Sequence, residues 1–375
     1  MKFVFAAGGT GGHINPALAV AGELKRRYPD ADILFLGTKE KMESKLVPAA
    51  GFNFRYIDIS GFQRKITPAN LRANIKTLWK ILKASRQSRE ILEAFQPDVV
   101  IGFGGYVSGP VVRQGAKLGF KTAIHEQNAF PGVANKALAK KADLVMLTVP
   151  EAEKYLSCKK TPVITGLPIR EEIMQADRAF ARAKLHADGK TVIFSAGGSL
   201  GARTINEVMS DIMIALKEDD SVQFIHSYGH YGAWVPEKLK ENGISPNDPK
   251  YDVREYIYDM ADCLAAADLV ISRAGASSIS EIEALGKASI LIPSPNVAEN
   301  HQYHNAHALV EKNAAYLVEE SQIEKEPDVV KNMVLELLAE PQRLQSLGAN
   351  ALKMAKTDAK DTICDLLVQL AQSAR

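Results

Sequence analysis

One stretch near the amino terminus recurs once, about halfway along the chain. VFAAGGTGGHINPA (Val4 to Ala17) overlays IFSAGGSLGARTIN (Ile193 to Asn206) at constant offset: Gly8 falls on Gly197, Gly9 on Gly198, Thr10 on Ser199 and Gly12 on Gly201. Each copy reads as a short apolar strand, a glycine-rich turn and the start of a helix. A chain that opens two halves this way is constrained to two similar doubly wound α/β domains.

The remaining pattern agrees. The runs KFVFAA, DILFLG, VVIGF, KTAIH and LVMLT, then TVIFSA, VQFIHS, LVISR and SILIP, alternate with helical patterns. Short apolar strands separated by helices predict parallel sheets covered on both faces. A chain of 375 residues suffices for two such domains, each with its own core. TPVITGLPIR (Thr161 to Arg170) interrupts the pattern with two prolines and a glycine. The boundary is therefore expected near 165/166, giving domains 1–165 and 166–355. From about Ala355 the tail reads as a helix, with Ile363, Leu366, Leu367 and Leu370 on one stripe.

The glycine-rich turns number four: GGTGGH (Gly8 to His13), GFGGYVSGP (Gly102 to Pro110), GGSLGA (Gly197 to Ala202) and RAGASSISE (Arg273 to Glu281). Between a strand end and a helix start, backbone N–H groups and the helix dipole favour an anion. Four such turns, two per half, point to a diphosphate ligand. Two common nucleotide folds are excluded. A GxGxxG dinucleotide fingerprint counted from Gly9 and Gly11 has Ile14 in its third place, and DILFLG is followed by Thr38 and not an acid. No GxxxxGK[ST] occurs.

In RAGASSISEIEALG, Ser277 and Ser278 are expected at a helix start, where hydroxyls add to backbone donors. Glu281, one turn on, could accept from a ribose diol or merely complement the helix dipole. NVAENHQYHNA (Asn296 to Ala306) brings together Asn300, His301, Gln302, His304 and Asn305, donors and acceptors suited to sugar hydroxyls. His301 and His304 have no third ligand at metal-site spacing, and Asp30–Ala31–Asp32 follows Pro29 as a solvated turn. No metal is expected.

Charge adds one feature. Gly61 to Arg89 holds eight Lys or Arg and no acid; removing those from the chain's 46 leaves 38 against 44 Asp or Glu. Within it Leu71, Ile75, Leu78, Trp79 and Leu82 recur at helical spacing, flanked by Arg72, Lys76, Lys80 and Lys83. That pattern suits a helix lying on an anionic membrane, or an amphipathic core helix with a basic outer face. Trp79 alone offers a stacking platform, so nucleic acid is not expected. Cys158, Cys263 and Cys364 match no zinc or CxxC spacing, KFVFAA is too short for a signal sequence, and no apolar run reaches the ~18 residues a membrane span needs. A cytoplasmic protein with thiols of no special role is expected.

GGTGGHINPALA, GFGGYVSGP, IHEQNAFPGVANK, GGSLGARTIN, YIYDMA, SRAGASSISEI and NHQYHNA, in this order, resemble the MurG family of bacterial peptidoglycan N-acetylglucosaminyltransferases. The resemblance implies a GT-B fold, two Rossmann-like domains facing a cleft, with the helix 356–375 packing back on the first. It implies no cofactor, and inverting, metal-independent transfer of N-acetylglucosamine from UDP-N-acetylglucosamine to the C4 hydroxyl of undecaprenyl-pyrophosphoryl-N-acetylmuramyl-pentapeptide. It places such an enzyme on the cytoplasmic face of the cell membrane. It further implies that the backbone around Ile257 meets uracil, that Glu281 meets the ribose, and that Ser199 and Ala276, Ser277, Ser278, Ile279 and Ser280 receive the diphosphate. Gln302, with His301 beside it, would read the transferred sugar; Thr10, Gly11, Gly12 and Asn128 would face that sugar and the acceptor. Arg170 corresponds to an arginine usually preceded by GNP in the family, where this chain has Gly166–Leu167–Pro168.

His13 ends the first glycine loop and its repeat partner is Ala202. It is the candidate general base, or else a donor to the acceptor diphosphate; Glu126 is the second candidate base. A UDP-N-acetylglucosamine 2-epimerase and an idle nucleotide-sugar binder at the membrane surface are the competing functions.

Overall fold

The computed structural model describes residues 1–60 and 68–373, with side chains except at 68–76 and 78. The chain divides into two compact units, Met1–Pro168 with Thr357–Arg375, and Ile169–Lys356. The division between Pro168 and Ile169 lies within TPVITGLPIR, a few residues beyond 165/166.

The first unit is built on a seven-stranded parallel sheet of order β3-β2-β1-β4-β5-β6-β7. Its strands are β1 (Lys2–Ala6), β2 (Asp32–Gly37), β3 (Asn53–Tyr56), β4 (Val99–Gly102), β5 (Lys121–Glu126), β6 (Leu144–Leu147) and β7 (Val163–Ile164). The helices used below are α1 (Gly11–Arg27), α2 (Glu43–Ala49), α3 (Pro68–Phe95), α4 (Gly105–Lys117) and α5 (Val133–Ala139). β1 and β4 are buried on both faces. Phe3, Phe5 and Ile101 join one core cluster while Val4, Ala6 and Val100 join another on the opposite side.

The helix Ala359–Gln372 belongs to this unit and buries Ile363, Cys364 and Leu367 in the cluster beneath α1. Ion pairs fasten its outer edge. Arg27 pairs with Asp361 and Asp365, and Arg27 and Arg26 both reach the nearly buried Glu23, whose carboxyl is held down to about 2. The thiols are free; burial pushes those of Cys263 and Cys364 up to about 12, so neither is reactive near neutral pH.

The second unit repeats the plan with six parallel strands, order β10-β9-β8-β11-β12-β13. They are β8 (Thr191–Ala196), β9 (Val222–Ser227), β10 (Tyr251–Arg254), β11 (Leu269–Ser272), β12 (Ala288–Leu291) and β13 (Tyr316–Leu317). In both sheets the winding direction reverses at one place, between β1 and β4 and between β8 and β11. Ligands of open α/β sheets bind outside the strand C-termini at such switch points. The four glycine-rich turns of the sequence are the loops leaving those four strands.

Candidate active site

At the first switch point Thr10 is the N-cap of α1. Its carbonyl accepts from the N–H groups of His13 (3.1 Å) and Ile14 (3.2 Å), and no acid lies in the first helical turn. His13 is the third helical residue. Its Nδ1 lies 3.2 Å from the Gly8 carbonyl and 3.3 Å from Thr10 Oγ1. A carbonyl only accepts, so Nδ1 is the donating nitrogen, and in the uncharged form of the ring the lone pair is on Nε2.

The other edge of the ring lies on Gly104, the buried N-cap of α4, at φ 95° and ψ −174°. A Cβ there would stand 2.7 Å from His13 Cδ2 and 3.0 Å from Nε2. Backbone on two sides therefore orients the imidazole. Its repeat partner Ala202 is an N-cap and not a helical residue, because α1 starts three positions earlier in the repeat than the helix Arg203–Ala215.

Glu126 does not fit the part of base. It is 2% exposed, and its two oxygens accept from four donors: Asn128 N (3.0 Å), Asn128 Nδ2 (3.2 Å), Gly132 N (3.1 Å) and Asn135 Nδ2 (2.8 Å). A carboxylate so occupied folds the loop after β5. Asn128 is held half-buried by it. Thr10 and Gly12 are exposed, with Gly11 between them.

At the second switch point the helix Ala276–Ala284 begins after Gly275, again without an acid in its first turn. Ala276, Ser277 and Ser278 supply its leading N–H groups. The expected diphosphate set narrows here: Ile279 donates its N–H to Gly275 O (3.0 Å) and buries its side chain, and Ser280 is buried too. Ser199, in the neighbouring loop, is exposed. Glu281 and Arg170 come together, Arg170 Nε donating to Glu281 Oε1 at 2.8 Å, with Glu172 3.3 Å from the same guanidinium. Arg170 thus acts on the expected ribose acceptor, giving it a fixed position.

Gln302 Oε1 accepts from Ser294 N–H (2.8 Å), which leaves the amide NH2 as the end that can donate. His301 Nδ1 donates to Ala298 O (2.8 Å), and Asn305 ties this helix to the glycine loop through Ala274 O. Ile257 is buried in the core, so only its backbone could meet a base. Its neighbours Tyr256 and Tyr258, which lie in the YIYDMA motif but have no role assigned from the sequence, present exposed rings 4.8 Å apart. Among the described residues no cluster of three His, Cys, Asp or Glu is placed to hold a metal ion.

On α3, Trp79 and Leu82 are 72% and 65% exposed. Lys80 and Lys83 both pair with Asp58, so part of the basic flank is neutralised. The side chains of Leu71, Ile75 and Leu78 lie outside the described residues. No helix among those described is long and apolar enough to cross a membrane.

Two Rossmann-like units, each with an acid-free helix start at its switch point, give the two-domain α/β architecture of the GT-B class. Residues 3–147 match the glycosyltransferase family 28 N-terminal domain, and residues 192–363 the glycosyltransferase family 28 C-terminal domain. A UDP-N-acetylglucosamine–N-acetylmuramyl-(pentapeptide) pyrophosphoryl-undecaprenol N-acetylglucosamine transferase of Desulforamulus reducens is 42% identical, covering 97% of each chain. The crystal structure of Acinetobacter baumannii MurG superposes with a TM-score of 0.79 at 30% identity, over 98% of this chain and 99% of that one. An S. aureus MnaA–UDP structure shares the fold at 14% identity, TM-score 0.67, over 98% and 96% of the two chains. The chain belongs to glycosyltransferase family 28, in its MurG branch.

Proposed function

We propose that this enzyme transfers N-acetylglucosamine from UDP-N-acetylglucosamine to the C4 hydroxyl of lipid-linked N-acetylmuramyl-pentapeptide, with inversion and without a metal. The second unit holds the donor. Ala276–Ser278 and Ser199 receive the diphosphate, Glu281 the ribose and the Gln302 amide the sugar hydroxyls. The acceptor hydroxyl attacks the anomeric carbon, and the bond to the β-phosphate oxygen breaks with its electron pair leaving on UDP. Preorganised N–H donors stabilise that charge. The hydroxyl proton goes to His13 Nε2. A base of this kind contributes about 10²–10⁴-fold.

The observation that carries the base assignment is the Nδ1 contact with Gly8, which sets the tautomer whose lone pair is on Nε2. Exposed Trp79 and Leu82 support a peripheral contact of α3 with the anionic, cytoplasmic face of the membrane, where a lipid-linked acceptor resides.

The test is transfer of label from UDP-N-acetylglucosamine to a lipid I analogue in the presence of EDTA. Product confirms the acceptor class and metal independence; the His13→Ala enzyme is expected to retain 1% or less of kcat, an estimate of about 10²-fold or more. UDP binding without transfer would overturn the reading, and an epimerised sugar formed without acceptor would replace it.

A further inference from the structure

Behind the first glycine loop lies an acid that the mechanism above does not use. Glu43, in the first turn of α2, is 1% exposed. Its Oε1 accepts from Thr38 N–H (3.0 Å) and Thr38 Oγ1 (2.6 Å), and its Oε2 from Gly9 N–H (3.2 Å). Two glycines make room for it. A Cβ on Gly8 would stand 2.7 Å from Glu43 Oε1, and one on Gly37 2.5 Å from Glu43 Cγ.

The Gly9 N–H and the Gly8 carbonyl are the two ends of one peptide group. The first donates to Glu43; the second accepts from His13 Nδ1 at 3.2 Å. A carboxylate pulling on the N–H end makes the carbonyl end more negative, because hydrogen bonds in a chain polarise one another. We propose that Glu43 is the positioning residue of the proposed base, acting on His13 through the Gly8–Gly9 peptide as a carboxylate acts directly on the histidine of a catalytic triad. This rests on the reading of His13 as the base.

The arrangement holds the proton on Nδ1 and stabilises the imidazolium formed when Nε2 takes the acceptor's proton. It also distinguishes the two switch points. Both helices open without an acid in the first turn, but at the first loop one N–H is already committed to a buried carboxylate, which suits a reacting hydroxyl there better than a diphosphate.

Among the described residues, the titratable groups around the pair include Tyr106 from α4 and His125 from β5. The Tyr106 phenol, close to Gly9, is pushed up by burial and by Glu43. His125 is bonded to Gln127, which reaches Gly104, and burial holds its ring down to about 4, so it stays neutral over the assay range.

The test compares Glu43→Gln with the unaltered enzyme by pH profile of kcat/KM, alone and in a His13→Ala background. The substitution keeps the shape, removes the charge and puts an NH2 that cannot accept in place of one oxygen. With its amide oxygen kept on the two Thr38 donors, the bond from Gly9 N–H is the one lost. We expect kcat to fall about 10-fold with UDP affinity unchanged, and the acidic limb to move to lower pH by roughly half a unit or more, since His13 loses a stabilised protonated form. In the His13→Ala background the substitution is expected to change nothing further.

An unmoved limb, or an equal loss in both backgrounds, would reduce Glu43 to a loop support and overturn the inference. If His13→Ala itself kept kcat, the base reading would fall with it. Should Glu43→Gln fold poorly, ¹⁵N spectra of His13 in the unaltered protein decide the tautomer. The proton on Nδ1 is expected, and a proton on Nε2 at neutral pH would overturn the inference.

Discussion

Replacing Gly104 by alanine tests the placement of His13 without replacing any side chain of the site. Two costs can be read from the geometry. At φ 95° and ψ −174° the residue occupies a backbone region that is essentially glycine's own, so alanine strains the chain by about 1–3 kcal/mol. In a unit of this size that lowers Tm by about 2–4 °C per kcal/mol. The added methyl would also stand 2.7 Å from His13 Cδ2, against an ordinary carbon contact of about 3.5–4.0 Å, so ring or loop must yield by about 1 Å.

A misplacement of that size costs up to about 10²-fold in rate, close to 2.7 kcal/mol of transition-state stabilisation. The expected result is kcat down about 30–100-fold, with KM for UDP-N-acetylglucosamine within about twofold because the residues proposed to bind the donor belong to the other unit. Steady-state transfer to a soluble lipid I analogue and a melting curve supply both readings. Gly119→Ala is the control. It has φ 83° but nothing within 4 Å of its Cβ, and should lower Tm while leaving kcat alone. If Gly104→Ala lost stability as expected yet kept kcat within about threefold, the imidazole would not be where the rate is set.

Glu281→Gln should weaken UDP binding by about 10–100-fold in calorimetry, the worth of a charge-assisted pair of hydrogen bonds, and 2′-deoxy-UDP should show no further loss with the variant. Equal losses for both ligands would remove the ribose from Glu281. Trp79→Glu with Leu82→Glu should abolish sedimentation with anionic vesicles and leave transfer to a soluble acceptor unchanged; undiminished sedimentation would move the membrane contact elsewhere. Acid should destabilise both units through one buried histidine each, His125 and His226, which burial holds down to about 4 from 6.5. Both are neutral in the fold, so above pH 6.5 they cost nothing. Below it the unfolded chain takes up protons that the fold refuses, at about 1.4 kcal/mol per pH unit per histidine, or about 2 kcal/mol each by pH 5. Urea midpoints at pH 7.5 and 5 check this, and equal midpoints would refute it.

The two-domain plan was legible because the central strands are covered on both faces. A strand such as FVF or VVI must be apolar at every position, and such runs stand out against helical periodicity. Four strands were not legible, and all lie at or near sheet edges. β3 is NFRY and largely exposed, β10 is YDVR, and β7 and β13 have two residues each. An edge strand has one neighbour and a solvated face, so no apolar run announces it. The glycine loops were legible because a cluster of glycines where a strand turns into a helix gives up backbone entropy, and close approach to the bare backbone is what repays it.

What could be read along the chain was whatever depends on neighbours in sequence: the repeat, the buried strands, the loops at their ends and the residue types that could meet a nucleotide sugar. Pairings between distant segments were decided only by the tertiary structure. Glu281 and Glu126 both looked available as acceptors. Folding gives one an arginine 111 positions away, while the way the loop after β5 turns back, from Asn128 to Asn135, wraps the other in four donors. Glu43 sat among KEKMESK as one more charge of a polar stretch, with no signal to single it out. Its burial under Gly8 follows from β2 lying beside β1, which delivers the turn after one strand beneath the loop after the other. A local pattern shows that a carboxylate exists; what it can do depends on which donors and how much water surround it, and those are set by the packing.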